Sequence, residues 1–97
     1  MSTVKVIARF EVSENQFEQF LKLAKELVGE TVKEDGCISY ELVQDQQTSD
    51  VLMMLEVWES KQALDKHMAS GHFTRLVPQL AGLSAKEPVV HVCKQLA

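Results

Sequence analysis

The chain holds little of what loosens or bypasses a packed fold, with only 4 Gly and 2 Pro in 97 residues. Together with 45% hydrophobic and 25% charged residues, that scarcity argues against disorder and low complexity. Cysteine is scarce too. Cys37 and Cys93 lie far apart in no CxxC or metal-ligand spacing, so neither a disulfide framework nor a zinc site has support, and both read as small buried apolar residues. No apolar run approaches the roughly 20 residues of a membrane span, and the run in MSTVKVIARF is too short for a secretion signal. Basic clusters are also missing: 10 basic residues are scattered among 14 acidic ones for a net charge of −4, which argues against a nucleic-acid partner. These absences predict one cytoplasmic domain over residues 1–97. A domain of this length buries only roughly 60 to 65% of its unfolded surface, so a partner subunit would help it.

What is present alternates. Val4, Val6, Ala8, Phe10 and Val12 share one face of a first strand, with Ile7 as the apolar residue on the other. Ser13 and Gln16 have capping-box spacing before a helical stripe of Phe17, Phe20, Leu21, Ala24, Leu27 and Val28, which predicts a helix to about Lys33. Glu34-Asp35-Gly36 supplies its stop. A second strand, CISYELVQ, places Ile38, Tyr40 and Leu42 together and leads through the polar loop DQQTSD into a hairpin. The third strand, Val51 to Trp58, is apolar on both faces and should be covered on both. Ser60 caps a second helix with Ala63, Leu64, His67 and Met68 on one stripe; Gly71 breaks it, and a further helical piece from about Phe73 carries Pro78 as a bend or stop. Pro88 opens a last strand, VVHVCKQL.

The order strand, helix, strand, strand, helix, strand, joined by right-handed crossovers, predicts an α+β fold. It is a ferredoxin-like βαββαβ plait, a four-stranded antiparallel sheet with its helices on one face. The other face would be bare. Its apolar residues predict burial against an identical subunit, sheet to sheet, in a homodimer.

The stretch Leu52 to Phe73 holds the candidate chemistry. A helix folding back along the preceding strand brings His67 level with Leu55 and Glu56, because seven helical residues retreat about as far as three strand residues. Glu56 interrupts an apolar strand and needs a partner; His67, Arg9 and Lys5 are candidates, and a catalytic Glu56 would orient His67. His67, titrating near neutral pH, is the candidate general base, although a histidine on an apolar stripe also serves as plain core. Trp58 would be core or a flat wall against an aromatic substrate. Phe73 and Met54 would pack or shape the pocket, and His72 would cap a helix or reach the pocket mouth. His91 has no visible partner, and no HxxxH or His–carboxylate helical spacing marks a metal site.

These residues carry a resemblance. EDGCISYEL and LEVWESKQALDKHMASGHF, with the first strand and helix and the closing strand, resemble the antibiotic biosynthesis monooxygenase family of dimeric α/β-barrel proteins. The resemblance implies paired ferredoxin-like subunits, each with a pocket between sheet and helices. It implies pocket roles for Glu56, Trp58, His67, His72 and Phe73, and for Tyr40 on the second strand. Members similar to this chain include small quinol monooxygenases that use O2 as co-substrate with no metal or flavin. The haem-degrading branch is expected to carry an Asn where this chain has Ala8 or Arg9.

The leading expectation is therefore a monooxygenase, independent of any cofactor, acting on a small aromatic quinol or polyphenol with His67 and Glu56 as catalytic residues. The alternatives are an isomerase or enolising enzyme, for which Arg9, Lys66 and Arg75 would be the phosphate-binding cations, and a non-enzymatic ligand-binding module.

Overall fold

The computed structural model describes residues 2–97, which form strands β1 (Val4–Glu11), β2 (Cys37–Gln44), β3 (Val51–Trp58) and β4 (Val89–Cys93). Its helices are α1 (Phe17–Thr31), α2 (Lys61–Met68) and α3 (Gly71–Gly82), and a short 3-10 turn, Glu14–Gln16, precedes α1. The sheet runs β2-β3-β1-β4 with every neighbouring pair antiparallel, as the ferredoxin-like plait requires. No helix among the described residues is long and apolar enough to cross a membrane.

The core lies between the helices and one face of the sheet. Val6, Ala8 and Phe10 of β1 and Leu52, Met54 and Trp58 of β3 meet Phe20, Ala24 and Leu27 of α1 and Leu76 and Leu80 of α3. Phe10 and Phe20 meet edge to face at 5.2 Å, an aromatic geometry that adds to area burial. The opposite face carries Ile7, Met53, Leu55, Val57 and Val89, of which Ile7 and Val89 are 39% and 46% exposed. Half-buried apolar side chains on a bare sheet face are what a covering partner would remove from water.

Four local expectations change. Ser13 makes no capping bond to the backbone and instead donates to Asn15, because the chain enters α1 through the 3-10 turn rather than a capping box. A register shift between Cys37 and Ser39 makes Ile38 an extra residue, turned out and 55% exposed, while Cys37 pairs with Trp58 and packs on the core side. The last helix starts at Gly71, since Ser70 caps it by accepting from the Phe73 N–H at 3.3 Å, and it continues through Pro78 to Gly82. Neither cysteine is fully buried; both thiols are free and partly exposed.

Candidate active site

Gly36 brings the site together. Its φ of +86° is a left-handed conformation that glycine adopts without strain, and a Cβ there would stand 2.6 Å from the Ala63 Cβ. That close approach presses the turn after α1 against α2. The Gly36 carbonyl also accepts the Glu59 N–H at 2.8 Å, tying the turn to the end of β3. Glu34, two residues before Gly36, is thereby held against His67.

His67 is 1% exposed, and its Nδ1 lies 2.7 Å from Glu34 Oε2. A carboxylate has no proton to give, so Nδ1–H donates and Nε2 is left with its lone pair. That Nε2 is buried and has no hydrogen-bond partner among the described residues. Trp58 lies against the imidazole at 4.6 Å and 33°, while Tyr40 and Phe73 meet it edge-on at 5.4 and 5.0 Å. Burial lowers the His67 pKa, and the Glu34 hydrogen bond and charge offset part of that effect. The ring is therefore neutral, and fixed in one tautomer, at neutral pH.

His72 Nε2 stands 2.6 Å from the same Glu34 oxygen. One carboxylate oxygen thus accepts from two imidazoles. Glu34, His67 and His72 form a donor set of the kind that divalent metals take, with their ligand atoms all within 4.8 Å of one another. The two nitrogen–oxygen separations are nonetheless hydrogen-bond distances, shorter than the roughly 3.3 Å between neighbouring ligands of a tetrahedral zinc with bonds near 2.0–2.1 Å.

Glu56 faces the helices, flanked by Val6 of β1 and Tyr40 of β2. It does not orient His67, which corrects the expected pairing. Its Oε1 accepts the Trp58 indole N–H at 2.9 Å, a bond between buried groups two residues apart on one strand face. Burial raises its pKa to about 7, against the lowering effect of the indole bond, and the Glu34 charge adds to the rise. Tyr40 is pushed well above the usual phenol range, first by burial and then by Glu56, so its hydroxyl stays protonated.

Beside these groups is an apolar cavity of about 160 Å3. Of the expected residues, Met54, Glu56, Tyr40, His67 and Phe73 line it, along with Val6, Ala8, Leu64, Met68, Val77, Val90 and Val92. Met68, Val90 and Val92 are also exposed and mark its mouth, at the edge strand that the helices leave uncovered. Trp58 and His72 do not line it: Trp58 backs His67, and His72 reaches Glu34. Arg9, Lys66 and Arg75 are not among the lining residues; Arg9 pairs with Glu11 and Arg75 with Glu26. A wider hollow of about 610 Å3 gathers Glu14, Glu18 and Asp50 and contains no imidazole.

Sequence reasoning used Glu34 only as a helix stop. It lies 33 residues from His67, and no local spacing joins them. The available signal was an acidic residue two positions before the turn glycine Gly36, in a loop that the fold brings back to the strand ends.

Comparison with known proteins adds a family. The family model described as antibiotic biosynthesis monooxygenase matches residues 3–79. Rv0793 of Mycobacterium tuberculosis, provisionally named a monooxygenase, is 32% identical over 95 residues, covering 98% of this chain and 93% of that protein. An uncharacterised Synechocystis protein, sll1783, is 28% identical over 91 residues, or 94% of this chain; the match spans only 62% of that longer relative. Among solved structures, a conserved protein from Methanosarcina mazei superposes with a TM-score of 0.96 at 33% identity, covering 99% of this chain and 95% of the other.

Proposed function

Because the chain belongs to the antibiotic biosynthesis monooxygenase family, we propose that it oxidises a small aromatic quinol or polyphenol with O2 and without a metal or organic cofactor. One observation carries this reading: a buried imidazole in the wall of an apolar cavity, held in one tautomer by Glu34, keeps an Nε2 with no partner among the described residues. The cavity is close in size to the ~150 Å3 apolar void that takes benzene, so a single aromatic ring fits it best.

His67 Nε2 takes a phenolic proton from the substrate. The resulting phenolate gives up electrons to O2 far more readily than the phenol does, and Glu34 stabilises the imidazolium that forms. A ring C–H bond is replaced by a C–OH bond and the quinol is oxidised to the quinone, so the substrate gives up four electrons in all; one oxygen atom of O2 stays on the ring and the other leaves as water. Glu56, in the cavity wall with its pKa raised to about 7 by burial, donates a proton to the departing oxygen. The apolar lining holds the reactive intermediate away from water. We place the reaction in the cytoplasm, where two free thiols persist. A second copy of the chain covers the bare sheet face and completes the small domain's burial.

The test is O2 uptake across a panel of benzoquinols, catechols and dihydroxynaphthalenes, corrected for autoxidation. Saturable uptake that falls by roughly 10²- to 10⁴-fold in a folded His67→Ala variant is expected of a lost general base. Uptake equal to background with every substrate would overturn the reading.

A further inference from the structure

We propose that His72 is a positioning residue that acts through Glu34 to keep His67 in the tautomer whose Nε2 carries the lone pair, an inference that rests on the base role given to His67. His72 does not line the cavity, so it has no route to substrate of its own. Its Nε2–H instead donates to Glu34 Oε2, the oxygen that accepts from His67 Nδ1–H.

The need for a second donor follows from where Glu34 sits. Its side chain hangs from the turn after α1, 16% exposed, with several rotatable bonds and water within reach. A carboxylate held by His67 alone can swing outward, and His67 is then free to move its proton to Nε2 and close the lone pair. Two N–H donors converging on one oxygen, from α2 and from the first turn of α3, remove that freedom. The two histidines are themselves fixed to each other. Ser70 Oγ donates to the His67 carbonyl at 2.6 Å while capping α3 through the Phe73 N–H, so one side chain sets the end of α2 and the start of the helix that carries His72. The imidazole rings lie 6.0 Å apart.

The experiment compares wild type with His72→Phe, which keeps bulk and loses the donor, and His72→Gln, which keeps an amide N–H near the position of Nε2. The primary readout is the nitrogen-15 spectrum of the His67 ring in the free protein, assigned with a His67→Gln control and accompanied by a thermal melt. Wild type and His72→Gln are expected to show one tautomer, protonated at Nδ1; folded His72→Phe is expected to show a mixture. With a turnover assay in hand, kcat of His72→Phe falls about tenfold at little-changed KM, and His72→Gln restores it. A His67 tautomer unchanged in folded His72→Phe overturns the proposal, as does a raised KM at full kcat, which would put His72 in contact with substrate. If His72→Phe does not fold, His72→Gln and His72→Asn decide: the proposal requires Gln to keep the single tautomer and Asn, whose amide is too short to reach, to lose it. The spectrum needs no substrate, so a shifted tautomer without O2 consumption would sink the monooxygenase reading and leave His72 standing.

Discussion

Glu34, His67 and Glu56 divide the labour of the site by environment. Glu34 is partly solvated and hydrogen-bonded twice, His67 is buried and neutral, and Glu56 is buried with its pKa raised to about 7. Glu34→Gln should lower kcat by at least about tenfold at nearly constant KM, since the amide can still accept a bond but no longer balances the imidazolium charge. Steady-state kinetics of a folded variant checks this. Glu56 has a consequence for stability. Its folded pKa is raised, so the native state binds the extra proton, and the contribution of Glu56 to stability is fully present below about 4.5 and is lost as pH rises toward 7. Glu56→Gln, which can still accept from the Trp58 indole, should match wild type at pH 4 and exceed its unfolding free energy by about 3 kcal/mol at pH 8. Denaturant titrations at the two pH values measure the difference; a variant less stable than wild type at pH 8 would refute it. His67 acts in the opposite sense, because its folded pKa is lowered. Its contribution is present above the unfolded value of about 6.5 and fades as pH falls below it. That His67, Tyr40, Met54 and Phe73 would gather around one cavity could be anticipated from helix stripe, strand parity and family resemblance. The His67–Glu34 bond could not, because its partners approach only after the α1–β2 turn folds against α2.

Segments whose periodicity and boundary residues agree are the segments that match the expected structure. β1 alternates cleanly and pairs with the doubly apolar β3 over their full length, Ser60 caps α2 through the Ala63 N–H at 3.1 Å, and Gly36 adopts the positive φ expected of a glycine stop. Sequence and structure part where a local pattern has two uses. Gly71 has the composition of a breaker but follows the serine that caps α3, and Ile38 fits an alternation that the Cys37–Ser39 bulge interrupts. The Gly36 turn is the joint on which the site depends. Gly36→Ala incurs about 1 to 2 kcal/mol for the left-handed backbone and about 1 to 3 kcal/mol for the 2.6 Å approach to Ala63. We expect a loss of several kcal/mol in chemical denaturation. In whatever fraction remains folded, activity should fall further than in other variants of equal stability, because the turn also sets Glu34. Equal activity at equal folded fraction would show that the turn serves the fold alone.

For the molecule as a whole, the division of the sheet into a helix-covered face and a bare face was legible from strand parity, and so was the ferredoxin-like order. What the bare face meets was not, since apolar residues call for cover without naming it. Leu55 and Val57 sit at its centre on β3, paired with Ile7 and Lys5 of β1. If a second copy covers them, Leu55→Glu places a charge in an apolar interface, and light scattering at micromolar concentration should show monomer where wild type shows dimer. The cavity lies on the other face and opens at the edge strand β4 past Val90 and Val92. Each subunit therefore carries a complete set of Glu34, His67, His72 and Glu56, and a folded monomeric variant should keep its kcat within a few-fold. A dimer that survives Leu55→Glu unchanged would locate the subunit contact elsewhere.

If the proposed His67 base serves oxygen transfer, the fate of the oxygen atoms records it: turnover of the best quinol substrate under heavy-isotope O2, with product analysed by mass spectrometry, for wild type and His67→Ala. A single labelled oxygen is expected in the ring product, the other label in water, and labelled product in the variant no higher than autoxidation. An unlabelled product formed at the same rate with O2 removed would contradict it, and would assign the Glu34–His67 pair to proton transfer without oxidation.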